Sequence, residues 1–585
     1  MIMTKRQIQK DIIGIMQDYI KQVNPTQEQI KWAKQLTEQI LKCTLDNTIE
    51  VISDRCALGK STLINSILKN TSIGAIFITD RLDRLDITAT LLKDDCYYMH
   101  FTEEEIDSKK IFLEQKSKRV LLMTTQRYFS LSKEEIESYS TWKDGKRELV
   151  IIDEKPPIIE VVEITNEYIN SIENATEMEV RDITVKNAIK NNITLIRNSF
   201  NTLLDSFADK KVGFYRGNGL FVTEQFIQLV KDNLTREYYN RALNIKQLQD
   251  GSLYIGSGND DNTRKLVFAK NNIDKFVDCY KYFILDATAK IDNDYFFNWE
   301  RLNPPVKAQL EKPCDITINH IELNTSKRKL KDVKYKEMVK TIVDKYRTED
   351  TLVTSSRNYS NFFGAEGYFG NLTGKNTWAD KTNYIQVGVN RKSNYYYVAK
   401  YFLMVKDGIT QLTIEEVSQL AEELISNIDN IKLVESDNEA LREKSFVTLI
   451  MKSDTKVETV QALMRIKCRH FSNTEMCNVW LITDRDVSDI ARYVGANLVE
   501  LETPMEAEIL KTLERKAPEG KKETNAQRII NHWNELPFTN GVVTNKQIME
   551  YFGLDKKQFD KTKEKSSGLK MFLDSKRVSR GKYSI

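Results

Sequence analysis

Residues 49–70 read IEVISDRCALGKSTLINSILKN: an apolar run, a short loop ending in Gly59-Lys60-Ser61-Thr62, and a stretch with helical periodicity. A strand, a loop and a helix in that order are what a phosphate-binding loop requires. Consecutive backbone N–H groups and the helix N-terminus cradle phosphate oxygens, a lysine reaches the outer phosphates, and a hydroxyl ligates magnesium. The stretch therefore assigns Gly59, Lys60, Ser61 and Thr62 to nucleotide phosphates and Ser61 also to Mg2+. One position departs from G-x-x-x-x-G-K-[ST], because Asp54 stands where the first glycine belongs. Either the loop turns differently there, or nucleotide binding is weaker.

The neighbouring runs extend this reading. AIFIT at 75–79, RVLLMTT at 119–125 and ELVIID at 148–153 are short, rich in branched residues and bounded by polar residues. Such runs predict buried parallel strands alternating with helices, and so an α/β sheet. The last run ends in Asp153-Glu154, and strand ends are where α/β sheets present ligand-binding groups. Phosphoryl transfer to water needs two different acids: Asp153 to hold hydrated magnesium and Glu154 to orient and deprotonate the attacking water. A strand that merely ends in solvated acids is the competing explanation.

Residues 1–46 predict two amphipathic helices, with Pro25-Thr26 opening the second. From about 160 to 278 long helical stretches predict a helical insertion, after which YFILDAT at 282–288 resumes the strand pattern of a first domain spanning 47–300. RLNPPVKAQLEKP at 301–313 carries three prolines and predicts a linker. A second strand-and-helix series (TLVTS at 351–355, YIQVGV at 384–389, NVWLIT at 478–483) predicts a second domain over 314–515, with a helical excursion near 413–430. KAPEGKKETN at 516–525 marks a further boundary.

More motifs follow in a telling order. LLMTTQRYF at 121–129 holds a T-x-x-R element, LDATA at 285–289 is a strand end in small residues, and QALMRIKCR spans 461–469. With the phosphate loop and the D-E-K-P acids, this series resembles superfamily 2 helicases and translocases, the DEAD-like ATPases with two RecA-like domains. The resemblance implies that Thr125 and Arg127 grip a nucleic-acid backbone, that LDATA corresponds to motif III, and that LVTSSRNYSNFF at 352–363 and the 370–391 neighbourhood correspond to motifs IV and V. QALMRIKCR is similar to motif VI, Q-x-x-G-R-x-x-R. It implies that Gln461, Arg465 and Arg469 serve the γ-phosphate across a cleft, although Met464 replaces the glycine and the second arginine falls one residue late.

The last 61 residues predict three helices and a terminal strand, an order that resembles a winged-helix module. Lys556, Lys557, Lys561 and Arg580 there could neutralise phosphates without reading sequence; a solvated lysine-rich face is the plain alternative.

Composition removes other classes. Seven scattered cysteines without C-x-x-C spacing and four dispersed histidines disfavour disulfide frameworks, zinc sites and catalytic triads. No 18-residue apolar span exists and the N-terminus lacks a secretory pattern, so no membrane partner and a cytoplasmic location are expected. With 87 basic against 84 acidic residues, net charge does not identify a partner. The phosphate loop and acid pair point to an α/β ATPase with ATP and Mg2+ as cofactors. The winged-helix-like tail implies single-stranded or duplex DNA in preference to RNA, and the resemblance of the chain to phage or plasmid replication helicases implies a role in replication of a mobile element; no protein partner is indicated. The rival is an origin or scaffold protein with a vestigial nucleotide site.

Overall fold

Strands that read as uninterrupted apolar runs need cover on both faces, and the first sheet is built that way. The computed structural model describes residues 5–42, 48–99, 114–205, 212–216, 220–249, 253–257, 264–298, 300–302, 315–372, 377–405, 412–428, 439–470, 473–505, 509 and 523–585. They divide into two units, Met1–Glu311 with Arg391–Glu458 and His470–Ser472, and Lys312–Asn390 with Thr459–Arg469 and Asn473–Ile585. The expected linker at 301–313 and boundary at 516–525 lie mostly outside the described residues.

The first unit begins with α1 (Lys5–Val23), α2 (Gln27–Leu41), β1 (Ile49–Ile52), α3 (Lys60–Asn70), β2 (Gly74–Thr79), α4 (Leu82–Leu92), β3 (Cys96–Tyr98), β4 (Val120–Met123), α5 (Thr125–Ser130), β5 (Thr141–Trp142) and β6 (Gly145–Asp153). It continues with β7 (Ile159–Thr165), β8 (Val212–Arg216), β9 (Leu253–Ser257), β10 (Lys265–Asn271) and β11 (Lys281–Leu285). The main sheet runs β1-β11-β6-β2-β4-β3 and is parallel, with β5 added antiparallel to β6.

Alternation along each strand assigns side chains to two cores. Ala75, Phe77, Leu149 and Ile151 meet Ile15, Tyr19, Trp32 and Leu36 of α1 and α2, whereas Ile76, Ile78, Val150 and Ile152 face the opposite core. The N-terminal helices are therefore part of the first unit's core, each buried large apolar side chain contributing about 1.5–3 kcal/mol. At the end of the sheet away from Asp153, the fully buried Arg147 donates to the carbonyls of Arg119, Tyr139, Thr141, Gln115 and Lys118. Burial lowers its pKa to about 10.

The insertion is more than helical. Helices Asn166–Glu179, Ile183–Asp205, Glu224–Asn233 and Arg236–Gln249 accompany a four-stranded antiparallel sheet, β7-β10-β9-β8. A second departure concerns the 391–458 excursion. Helices Asn394–Met404 and Ile414–Asn427 place Tyr397, Phe402, Val417 and Leu424 in the first unit's core, so this part of the 314–515 span, the excursion near 413–430 included, belongs with the first unit and packs on its antiparallel sheet.

The second unit holds β12 (Ile316–Ile321), β13 (Thr351–Ser355), β14 (Gly367–Tyr368), β15 (Asn383–Val387), β16 (Cys477–Ile482) and β17 (Asn497–Leu501). They form one parallel sheet, β14-β13-β15-β16-β12-β17. Two parallel sheets carrying helices are the two RecA-like α/β domains that the motif order implies.

The C-terminal residues gather Ile529, Trp533, Val543, Ile548, Phe559, Leu569 and Tyr583 into a core of their own. Helices Asn525–Asn531, Asn545–Phe552, Lys556–Lys565 and Ser567–Ser575 surround a small antiparallel sheet of β18 (Val542–Thr544), β20 (Lys582–Ser584) and β19 (Arg577–Ser579). The expected third helix is two helices, because Ser566 leaves helical geometry and caps the next one, its Oγ accepting from Leu569 N at 3.2 Å.

Candidate functional site

The loop between β1 and α3 opens on Asp54 and closes on Gly59, with Ala57 at φ 61° and Gly59 at φ 76°. A left-handed Gly59 lets the chain enter α3 without a side-chain cap. A Cβ at Gly59 would lie 3.0 Å from Val23 Cγ2 and 3.1 Å from Tyr19 Cε2, so α1 presses directly on the loop. The Tyr19 hydroxyl donates to Leu58 O at 2.5 Å. Burial holds that phenol well above its ordinary pKa.

Asp54 is accounted for by a contact with the second N-terminal helix, α2. Its carboxylate is buried and accepts from the Trp32 indole N–H at 2.5 Å. The residue that breaks the glycine pattern is thus an anchor for α2, and the loop does turn around it. Lys60 Nζ donates to the loop carbonyls of Asp54 at 2.5 Å and Arg55 at 3.0 Å.

From α3 the chemistry crosses to β6. Ser61 Oγ donates to Asp153 Oδ2 at 2.7 Å, joining residues 92 positions apart. Glu154 follows at φ 87°, a left-handed backbone rare outside glycine, with its N–H on Leu285 O at 3.2 Å. Its side chain is one-quarter exposed, whereas that of Asp153 is 4% exposed. Arg84 of α4 completes the group. Its Nη1 lies 2.8 Å from Ser61 Oγ and is bonded to Asp153 Oδ2, and its Nη2 stands 4.0 Å from Glu154 Oε1. Burial alone would lower the Arg84 pKa, but the two carboxylates hold it above the ordinary value.

A hydroxyl and a carboxylate are the hard oxygen donors that magnesium takes, and the cation already between them shows that the pair accepts positive charge. The donor set fits the metal.

Beyond Glu154, Lys155 reaches the loop after β11. Its Nζ lies 2.5 Å from Asp292 Oδ2 and 2.7 Å from Asp294 Oδ2, and Asp294 Oδ1 is also 2.6 Å from the buried Lys400. Burial opposes ionisation of both acids. With its nearest ammonium shared, Asp292 is pushed up to about 6, while Asp294, held by two ammonium groups, lies below its ordinary value. Within the LDATA segment Asp286 accepts from Thr288 N at 2.8 Å, Thr288 Oγ1 at 2.7 Å and the Tyr295 hydroxyl at 2.9 Å, a rigid turn at the end of β11.

The T-x-x-R element opens α5. Thr124 Oγ1 caps it from Arg127 N at 3.1 Å, Thr125 is buried, and Arg127 is half-buried. Burial lowers the Arg127 pKa, with Tyr139 opposing it and Arg236 adding to it.

In the second unit, a chain of hydrogen bonds runs from Thr354 through the Tyr384 hydroxyl (2.7 Å) and Gln386 (2.8 Å) to Thr459 Oγ1 (3.2 Å). It seats the end of helix Glu439–Leu463, which carries Gln461, over the end of β15. Arg465 and Arg469, both half-buried, follow in the turn and 3-10 segment anchored by Lys467 N on Lys381 O at 2.8 Å. Lys556, Lys557, Lys561 and Arg580 are exposed on the C-terminal module. Thr62, in the first turn of α3, is half-buried.

The structure thus brings together Gly59, Lys60, Ser61, Asp153 and Glu154. Arg84, Trp32 and Tyr19 were not expected there. Arg84 lies in the AIFITDRLDRL run, where an arginine one turn past a strand end was the available signal. Nothing local marks Trp32 or Tyr19. Among the described residues there is no group of three or more His, Cys, Asp and Glu side chains that could hold a metal ion, and no helix is long and apolar enough to cross a membrane.

No family model and no curated protein matches the chain. Among solved structures it is similar to an apo XPD structure, at 12% identity over 80% of this chain and 100% of that one, with a TM-score of 0.47. It is also similar to S. tokodaii Xpd4 (13%, 81% and 100%, TM-score 0.46) and to S. cerevisiae Dbp5 bound to RNA and ADP BeF3 (8%, 84% and 98%, TM-score 0.34). At these identities the likeness concerns the fold alone.

Proposed function

We propose that the chain is an ATP- and magnesium-dependent motor of the superfamily 2 type, a helicase or translocase that moves on or unwinds DNA. The observation that carries the reading is the Ser61–Asp153 hydrogen bond at 2.7 Å, beside Lys60 and Glu154 at the ends of β1 and β6. It unites the helix of a phosphate loop with the acid pair in the arrangement that nucleotide hydrolysis needs.

In this reading the N–H groups of Gly59, Lys60 and Ser61 hold phosphate oxygens, and Lys60 exchanges its loop carbonyls for the outer phosphates. Thr62 supports the same turn. Ser61 and Asp153 hold magnesium, which when bound neutralises phosphate charge. Glu154 takes the proton of the attacking water, its exposed carboxylate being the one of the two acids with access to solvent. Arg465 and Arg469 stabilise the charge that develops on the γ-phosphate, and Gln461 orients it. Arg127, Lys556, Lys557, Lys561 and Arg580 contact the nucleic-acid backbone, and Thr125, which is buried, supports the turn that presents Arg127. The C-terminal module acts as a winged-helix grip on duplex or single-stranded DNA. The proposed role is cytoplasmic, in replication of a mobile element. The alternative, an origin or scaffold protein with a vestigial nucleotide site, is motivated by Asp54, which here accepts from Trp32, and by the late position of Arg469.

The test is nucleotide binding and turnover by wild-type protein, Lys60→Ala and Glu154→Gln. Lys60→Ala is expected to lose ATP binding, and Glu154→Gln to bind ATP while turning over about 10²–10⁴-fold more slowly. Normal hydrolysis by Glu154→Gln would reject the assignment of the base.

A further inference from the structure

Asp153 has its Oδ2 engaged twice, by the Ser61 hydroxyl and by the Arg84 guanidinium. How α4 delivers that guanidinium is legible in its first turn. Arg81 Nε donates to Asp83 Oδ1 at 2.9 Å, which occupies the acid nearest to Arg84 in sequence. The Arg81 N–H is in turn fixed on Thr79 Oγ1 at 3.3 Å, and Thr88 Oγ1 donates to Arg84 O at 2.9 Å. With Leu85 fully buried beside it, Arg84 is directed to the end of β6. Its side chain is 25% exposed, so one edge still faces solvent.

Two cations cannot share these oxygens. A divalent ion held by Ser61 and Asp153 needs the lone pairs that the Arg84 Nη1 now takes, and at hydrogen-bond separation the repulsion between ion and guanidinium is strong. Glu154, 4.0 Å from Nη2, offers the guanidinium a second acid without moving α4.

We propose that Arg84 is a built-in competitor of the divalent metal: it satisfies the Ser61–Asp153 pair and must transfer toward Glu154 before metal enters. Metal affinity is thereby kept low in the protein alone and rises when nucleotide phosphates supply further ligands. The proposal rests on reading Ser61 and Asp153 as the metal-holding pair.

The probe is Mn2+, followed by the electron paramagnetic resonance of the free ion, titrated into the full chain without nucleotide and with ADP. Arg84→Gln, Arg84→Lys and Asp153→Asn are compared with wild type. Removal of the positive charge in Arg84→Gln is expected to tighten Mn2+ binding about tenfold or more, with the larger gain in the nucleotide-free protein. Arg84→Lys, which keeps a cation, is expected to stay within about threefold of wild type. Asp153→Asn is expected to lose the site. Mn2+ binding by Arg84→Gln that is no tighter than wild type, while Asp153→Asn still loses it, overturns the competition and leaves the metal pair standing. Undiminished binding by Asp153→Asn overturns the metal pair itself, and the competition with it.

Discussion

Trp32 and Asp54 offer a quantitative test of how the N-terminal helices serve the phosphate loop. The indole N–H meets Asp54 Oδ2 at 2.5 Å, with Trp32 4% and Asp54 7% exposed. Trp32→Phe keeps most of the buried ring and deletes the donor; Asp54→Ala deletes the acceptor. A hydrogen bond to a charged group contributes about 1.5–3 kcal/mol, and a buried partner left behind adds its desolvation. The four proteins of a double-mutant cycle are unfolded in urea and followed by circular dichroism. Each single variant is expected to lose about 2 kcal/mol or more, and the double variant to lose about 1.5–3 kcal/mol less than the sum. ATP affinity should fall in the same three variants, because the anchored residue opens the loop whose end holds Lys60. Additivity within about 0.5 kcal/mol would refute the reasoning, since independent sites behave that way.

Three other expectations follow from single residues. Glu154→Gly should abolish turnover yet raise stability by about 1 kcal/mol, because φ 87° is strained for any residue but glycine; urea midpoints and ATPase rates on one preparation check both. Arg147→Met should cost about 3–5 kcal/mol in unfolding of the first unit, as five backbone carbonyls lose a buried cation. His532 is held above its ordinary pKa first by its hydrogen bond to Glu535, at 2.9 Å, so this contact stabilises the C-terminal module below the unfolded pKa and fades as pH rises through the folded one. A nuclear magnetic resonance titration should show the His532 midpoint falling in Glu535→Gln, and an unchanged midpoint would dismiss the contact.

The central strands were legible because parallel strands buried on both faces leave an unbroken apolar signature, as in ELVIID and AIFIT. The phosphate loop and Asp153-Glu154 were legible because each motif is contiguous in sequence. What escaped depends on distance along the chain. Trp32 finds Asp54, and Arg84 finds Asp153, only after the sheet has formed, and neither side chain carries a local mark of its partner. The insertion's sheet is hidden in the sequence because long amphipathic helices dominate the periodicity, while β8 and β9 are short. The 391–458 helices look like any amphipathic helices until the core they enter is known. Ser566-Ser567-Gly568 broke a helix that lysine periodicity had run through.

ATP hydrolysis with and without single-stranded DNA, duplex DNA and RNA, by wild type and Lys60→Ala, tests the central claim most directly. The account predicts hydrolysis that a DNA strand stimulates and that Lys60→Ala abolishes. Absence of hydrolysis under every condition, or hydrolysis that survives Lys60→Ala, would contradict it.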